Sequence, residues 1–132
     1  MKLTKENHKA CLNVIKLLHK IIDKNLPYKQ SQFYQNRGGE SHDLITDWNM
    51  LIESKKLCCL MGYLVADEKF KKAGGGISSD GTVLKFGVVD SSNAFCTYVG
   101  FSCIEILVGS GAYSPKQALD WFVDTYAEQL KS

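Results

Sequence analysis

Arginine is almost missing from this chain. Of its 132 residues sixteen are Lys or Arg, and Arg37 is the single arginine. The planar guanidinium fork is the group best suited to reading phosphate and guanine bidentately, so its scarcity argues against sequence-specific nucleic-acid recognition. Long hydrophobic runs are missing as well. The longest uncharged apolar stretch is 57–66, far short of the ~20 residues that span a bilayer, which excludes membrane insertion by a helix. The first apolar stretch, 11–22, is broken by Lys16, His19 and Lys20, unlike a signal-peptide core. A soluble, unsecreted, cytoplasmic protein is the expectation. Proline is sparse, two residues against eleven glycines, so neither disorder nor low complexity is implied.

The spacings that carry cofactors and metals are also missing. No G-x4-G-K-[ST] loop occurs, and the glycine-rich stretch 74–81 precedes a strand-like run rather than a helix. No C-x2-C or H-x3-H pair occurs, and His8 and His19 lie three helical turns apart, too far for one ion. No cofactor and no metal are expected. The five cysteines, Cys11, Cys58, Cys59, Cys96 and Cys103, are odd in number and embedded among apolar residues. That suits reduced core thiols better than a disulfide framework. A nucleophilic cysteine needs a base and a lowered pKa; Cys58 and Cys59 follow no turn or helix start that would supply either.

What is present is one domain's worth of sequence, 1–132, of α+β type. Cys11, Val14, Ile15, Leu18, Ile21 and Ile22 recur at helical spacing and predict a helix near 5–25, capped by Thr4 and stopped at Pro27. Lys9, Asn13, Lys16, Lys20 and Lys24 fall on its opposite face. A second helix is expected to start at Ser41 or Asp43 and to bury Leu44, Ile45, Trp48, Leu51 and Ile52. The stretch 57–73 reads as a helix ending at Gly74, with a polar break at 54–56. The chain then turns strand-like. Asp80-Gly81 signals a hairpin, 82–89 a strand with Leu84, Phe86 and Val88 on one face, 90–93 a turn, and 94–108 one bent strand or two meeting at Gly100. Ser114-Pro115-Lys116-Gln117 opens the last helix with a capping box, followed by Leu119, Phe122, Val123, Tyr126 and Leu130. The fold expected is N-terminal helices, a compact antiparallel sheet of about three strands, and a C-terminal helix packed on it.

Three groups of residues are candidates for function. Net charge is +2, but 1–30 holds seven Lys against Glu6 and Asp23. The lysines Lys9, Lys16, Lys20 and Lys24 therefore offer a basic face for nucleic acid or an anionic surface. Arg37, Glu40, His42, Asp43 and Asp47 cluster about Gly38-Gly39. Arg37, His42, Asp43 and Asp47 are the residues a small hydrolase or nuclease would use, although helix capping accounts for polar residues there equally. Phe33, Tyr34, Arg37, Glu40 and His42, together with a sheet face around Tyr98, form the surfaces for a protein partner. With no cofactor loop, no metal spacing and no patterned nucleophile, the reading favoured is a binding protein. It would act by occupying a macromolecular partner, as an inhibitor or immunity protein does. The alternatives are an enzyme centred on 37–47 and a basic adaptor using the helix-one lysines.

Overall fold

The computed structural model describes residues 3–29, 35, 44–81, 83–102 and 114–131. Helix α1 (Lys5–Asp23) leads. Three short helices follow: α2 (Trp48–Ser54), α3 (Leu60–Leu64) and α4 (Glu68–Lys72). The strands β1 (Gly75–Ile77), β2 (Leu84–Phe86) and β3 (Val89–Asp90) form an antiparallel sheet in the order β1-β2-β3. Helices α5 (Ser91–Val99) and α6 (Pro115–Lys131) complete the described chain. The arrangement is α+β, with helices before and after one small sheet.

The ends of α1 and α6 follow from local chemistry. The Asn7 N–H donates to Thr4 Oγ1 at 3.1 Å and the Thr4 N–H donates back to Asn7 Oδ1 at 3.0 Å. In α6 the Gln117 N–H donates to Ser114 Oγ and the Ser114 N–H to Gln117 Oε1. Each box satisfies backbone donors that a helix start leaves without partners. Helix α1 stops before Pro27 is reached. Asn25 adopts φ 50°, and the Leu26 and Asn25 N–H groups return to the Ile21 and Ile22 carbonyls, a left-handed C-cap.

The second helix begins later than its apolar spacing suggests, at Trp48 rather than near Ser41 or Asp43. The reason is that two backbone donors ahead of it are committed elsewhere: the Leu44 N–H bonds the Gly81 carbonyl at 2.8 Å and the Ile45 N–H bonds Gln35 Oε1 at 2.8 Å. Buried Gln35 also donates to the carbonyls of Ile45 and Gly62. The ambiguous stretch after it divides. Cys58 bridges to Tyr28 and Gln35 as extended chain, and helix resumes at Leu60. Asp67 breaks it again, accepting the Phe70 N–H to start α4. Gly74, φ 109°, follows the last helical turn as expected.

The strand expected over 94–99 is instead helix α5, and Asp90 to Asn93 form its entry, not a turn. Ala94, Phe95, Tyr98 and Val99 are buried while Thr97 is exposed; that is helical spacing, outweighing the aromatic and β-branched composition that suggested a strand. The third strand of the sheet therefore comes from earlier in the chain. Gly75-Gly76-Ile77 pairs with β2 across the Asp80-Gly81 turn, and β2 pairs with β3 with Phe86 opposite Val89. Gly87 takes φ 62° at the first position of that two-residue loop, which suits a type II′ turn. Val88 is thus the exposed tip of a hairpin rather than a partner of Leu84 and Phe86. Phe101 is buried after the helix, and 103–108 lies outside the described residues.

The core lies between α1 and its neighbours. Ala10, Cys11, Val14, Leu17, Leu18 and Ile21 of α1 are buried, and α1 packs on α4, α5 and α6. The sheet meets α5 and α4. There Phe70, Phe86 and Tyr98 pack ring to ring, Phe70 and Tyr98 edge-on at 4.9 Å. On α6, Ala118, Leu119 and Phe122 are buried, whereas Val123 and Leu130 remain exposed.

Gly100 ends α5 at φ 92°, and a Cβ there would stand 2.6 Å from Asn7 Cγ. Asn7 is fixed in that place because its amide also donates to the Tyr98 carbonyl at 3.1 Å, one of the last carbonyls of α5. Gly100→Ala should therefore cost about 1–3 kcal/mol in urea unfolding. Gly76→Ala, with nothing within 4 Å of the added carbon, serves as the control. Equal midpoints for the two variants would show that α5 is not held this way.

Candidate functional site

Most of the residues singled out around the Gly38-Gly39 loop, namely Phe33, Tyr34, Arg37, Glu40, His42 and Asp43, lie outside the described residues. Asp47 is described, and it caps α2: its Oδ2 accepts the Met50 N–H at 2.9 Å. Residues 44–47 are not helical, so Asp43 and Asp47 do not share a helix face through i, i+4 spacing. The sheet face expected around Tyr98 does not exist. Tyr98 belongs to α5 and is 5% exposed, so most of its ring packs inside the protein.

The helix-one lysines fall differently. Lys9, Lys16 and Lys20 are exposed along one stripe of α1, and α4 lies beside that stripe with Lys69 and Lys72. Between the two helices run two hollows. One of about 340 Å³ is lined by Lys16, Leu17, Lys20, Trp48 and Lys69 among others. The other, of about 550 Å³, is lined by Lys9, Ala10, Leu12, Lys72, Ala73 and Tyr98 among others. Asn13, Lys16 and Lys69 line both, so the hollows form one groove with lysines on each wall. Lys24 is not among the lining residues. At one end the Lys20 ammonium sits 4.7 Å from the centre of the Trp48 ring.

Three carboxylates also line the groove: Glu6, which is exposed, and Asp67 and Glu68, which are engaged. Glu68 pairs with Lys71 at 3.0 Å. Asp67 is buried; its Oδ2 accepts the Asn13 amide at 2.8 Å and the Phe70 N–H at 3.0 Å. Lys9, Lys16, Lys69 and Lys72 make no ion pair with a described residue. Among the described residues these ammonium groups have no carboxylate partner.

Its floor is a buried polar network. Asn13, expected on the solvated face, is only 6% exposed. Its Nδ2 donates to both Asp67 Oδ2 and, at 3.0 Å, the Tyr98 hydroxyl. Burial pushes the Tyr98 hydroxyl up to about 12, with the Asn13 hydrogen bond opposing, so it stays protonated at neutral pH. One residue thus joins α1, α4 and α5 beneath the lysines. The sequence carries a sign of this: Asn13 is flanked by the apolar positions of α1, where a solvent-facing residue is easily turned inward. Nothing in the pattern around Lys69 and Lys72 points to a groove, because that requires knowing which helix lies opposite.

The thiols are poor nucleophiles. Cys11, Cys58 and Cys59 are buried and in no disulfide, and burial pushes Cys11 and Cys58 up from 9.0 to about 12. Among the described residues no three His, Cys, Asp or Glu side chains gather to hold a metal ion, and no helix is long and apolar enough to cross a membrane. His8 meets the Tyr126 hydroxyl at 2.8 Å, joining α1 to α6. No protein-family model, no curated protein and no solved structure matches the chain.

Asn13→Ala leaves buried Asp67 without its side-chain donor, and should destabilise by about 1–3 kcal/mol in denaturant unfolding. A loss under a few tenths would mean the network is not part of the folded state. The thiols give a pH signature. The folded protein keeps Cys11 and Cys58 protonated while the unfolded chain ionises them from about pH 9. Their contribution is thus complete below pH 9 and is lost as pH rises towards 12. At neutral pH iodoacetamide should leave Cys11, Cys58 and Cys59 unmodified until denaturant is added; mass mapping of modified peptides checks this, and fast native labelling of Cys58 would contradict it.

Proposed function

We propose that this chain is a binding protein that acts by occupying a macromolecular partner, in the manner of an inhibitor or immunity protein, and that the α1–α4 groove receives the partner. The observation that carries the reading is the pair of facing lysine rows, Lys9, Lys16 and Lys20 on one wall and Lys69 and Lys72 on the other, over a floor fixed by Asn13. A cleft in which lysines outnumber carboxylates concentrates anionic ligands and speeds their association. A rigid, hydrogen-bonded floor keeps the two rows in register without the partner's help, which lowers the ordering cost of binding. The raised thiols and the capping role of Asp47 lend no support to a catalytic reading at those residues.

The proposed partner is another protein. A basic adaptor for nucleic acid would use the same lysines, and the two differ in salt response. Counterion release makes nucleic-acid binding fall steeply with salt, whereas a docked protein surface adds contacts that salt does not screen.

The test is retention from native cell lysate by the tagged chain at low and high salt, run beside the double variant Lys16→Glu/Lys69→Glu. Both lysines are exposed, so the variant should fold, which circular dichroism checks. One stoichiometric protein held by the original chain at high salt and lost by the variant is the expected result. Equal retention by both, or recovery of salt-labile nucleic acid alone, would overturn the proposal.

A further inference from the structure

The groove is not lined by charge alone, and the mixture narrows what fits it. Leu12 lies on α1 between Lys9 and Lys16 and is 53% exposed. It lines the larger hollow with Ala10 and Ala73, whose side chains are small, and the same hollow is lined by Lys9, Lys16, Lys69 and Lys72 and by one carboxylate, Glu6. An apolar spot among charged groups is the layout of a protein-recognition site that seats one anchor side chain.

The alternatives match this lining less well. A single nucleic-acid strand is held by aromatic faces on which bases stack. The larger hollow has only Tyr98, which is buried, and the Trp48 ring at the far end already faces the Lys20 ammonium. The cations are all lysines, compact point charges that pair with any anion, so it is the apolar spot at Leu12 that decides for a protein segment. Along α1 the ammonium groups follow one another at seven and four residues, about 10 Å and about 6 Å at the helical rise.

We infer that the groove takes an acidic segment of a protein partner, which seats one apolar side chain against Leu12, Ala10 and Ala73 while its carboxylates pair with Lys9, Lys16, Lys69 and Lys72. This rests on the reading that the groove is the docking site, and adds the chemistry of what docks. It also assigns Leu12 a role that charge alone does not: it supplies discrimination between an acidic protein segment and any other polyanion.

Trp48 makes the site observable. The chain has two tryptophans, so Trp121→Phe on α6 leaves Trp48 as the sole indole, at the edge of the groove. The probes are a short synthetic peptide of Asp and Glu with one central Leu, the same peptide with Ser in place of that Leu, an oligothymidylate, and inorganic polyphosphate. The Leu peptide should change Trp48 emission saturably. The Ser peptide should bind about tenfold or more weakly, the difference expected for burying one leucine side chain. Lys16→Glu/Lys69→Glu should abolish the response, and Leu12→Ser should bring the two peptides to equal affinity. Equal binding of the Leu and Ser peptides, tighter binding of oligothymidylate or polyphosphate than of the Leu peptide, or no saturable response would each overturn the inference. If the peptides fail while the lysate partner is still lost on charge reversal, the docking site stands and only the chemistry of its occupant is wrong. If the Leu peptide binds saturably but no lysate protein depends on Lys16 and Lys69, the groove's preference for acidic segments stands and the docking of a cellular partner there is wrong.

Discussion

Burial of one face of α1 is the constraint from which the other elements take their places. Val14, Leu17, Leu18 and Ile21 are almost wholly removed from solvent, each contributing about 1.5–3 kcal/mol of hydrophobic stabilisation. The helices packed over them also depend on α1 for polar contacts. Asn7 supplies donors to carbonyls at the end of α5, His8 meets Tyr126 of α6, and Asn13 holds the residue that caps α4. Apolar burial brings the helices to α1, and directional hydrogen bonds fix where along it each one sits. Hydrophobic contact alone is non-directional and would tolerate sliding.

Asn13 matters most among these contacts because it is buried and joins three helices. A buried hydrogen bond is weak in net terms, but an unmade one is costly, so the network penalises any arrangement in which α4 shifts relative to α1. Asp67 is shared between that network and the first turn of α4. A single carboxylate thus decides both where α4 begins and where its lysines stand. The lysines supply the groove's charge, and the polar contact beneath holds its two walls together against their mutual repulsion.

The elements readable from sequence are those whose information is local. Helix α1 and helix α6 each combine a capping box with an apolar stripe many residues long, and a wrong periodicity is hard to sustain over four or five turns. The Asp80-Gly81 hairpin is likewise a matter of adjacent residues. Helix α5 resembles a strand in sequence because nine residues hold few periods, and Phe95, Cys96, Thr97, Tyr98 and Val99 carry strand-like composition. Burial of Phe95, Tyr98 and Val99, absent from the sequence, decides for helix. Gly75 and Gly76 have the composition of a turn, yet the strand they form needs a glycine: a Cβ on Gly75 would run into the Phe70 ring at 2.3 Å. For the site, the stripe of Lys9, Lys16 and Lys20 is visible in the sequence as a basic face, but its identity as one wall of a groove is not.

The sequence by itself determined the α+β class, the two long helices with their starts, Cys11, Cys58 and Cys59 as core residues and the basic face of α1, because each is written in caps, periodicity or composition within a few turns of chain. Tertiary structure alone decided that Asn13 turns inward, that Tyr98 lies in the core instead of on a sheet surface, and that Lys69 and Lys72 stand across from Lys9 and Lys16. Asn13 and Asp67 are 54 residues apart, and Asn13 and Tyr98 are 85 apart. No local pattern relates positions so distant; they meet only when apolar burial closes the intervening chain, and it is that meeting which makes a solvated lysine face into a groove.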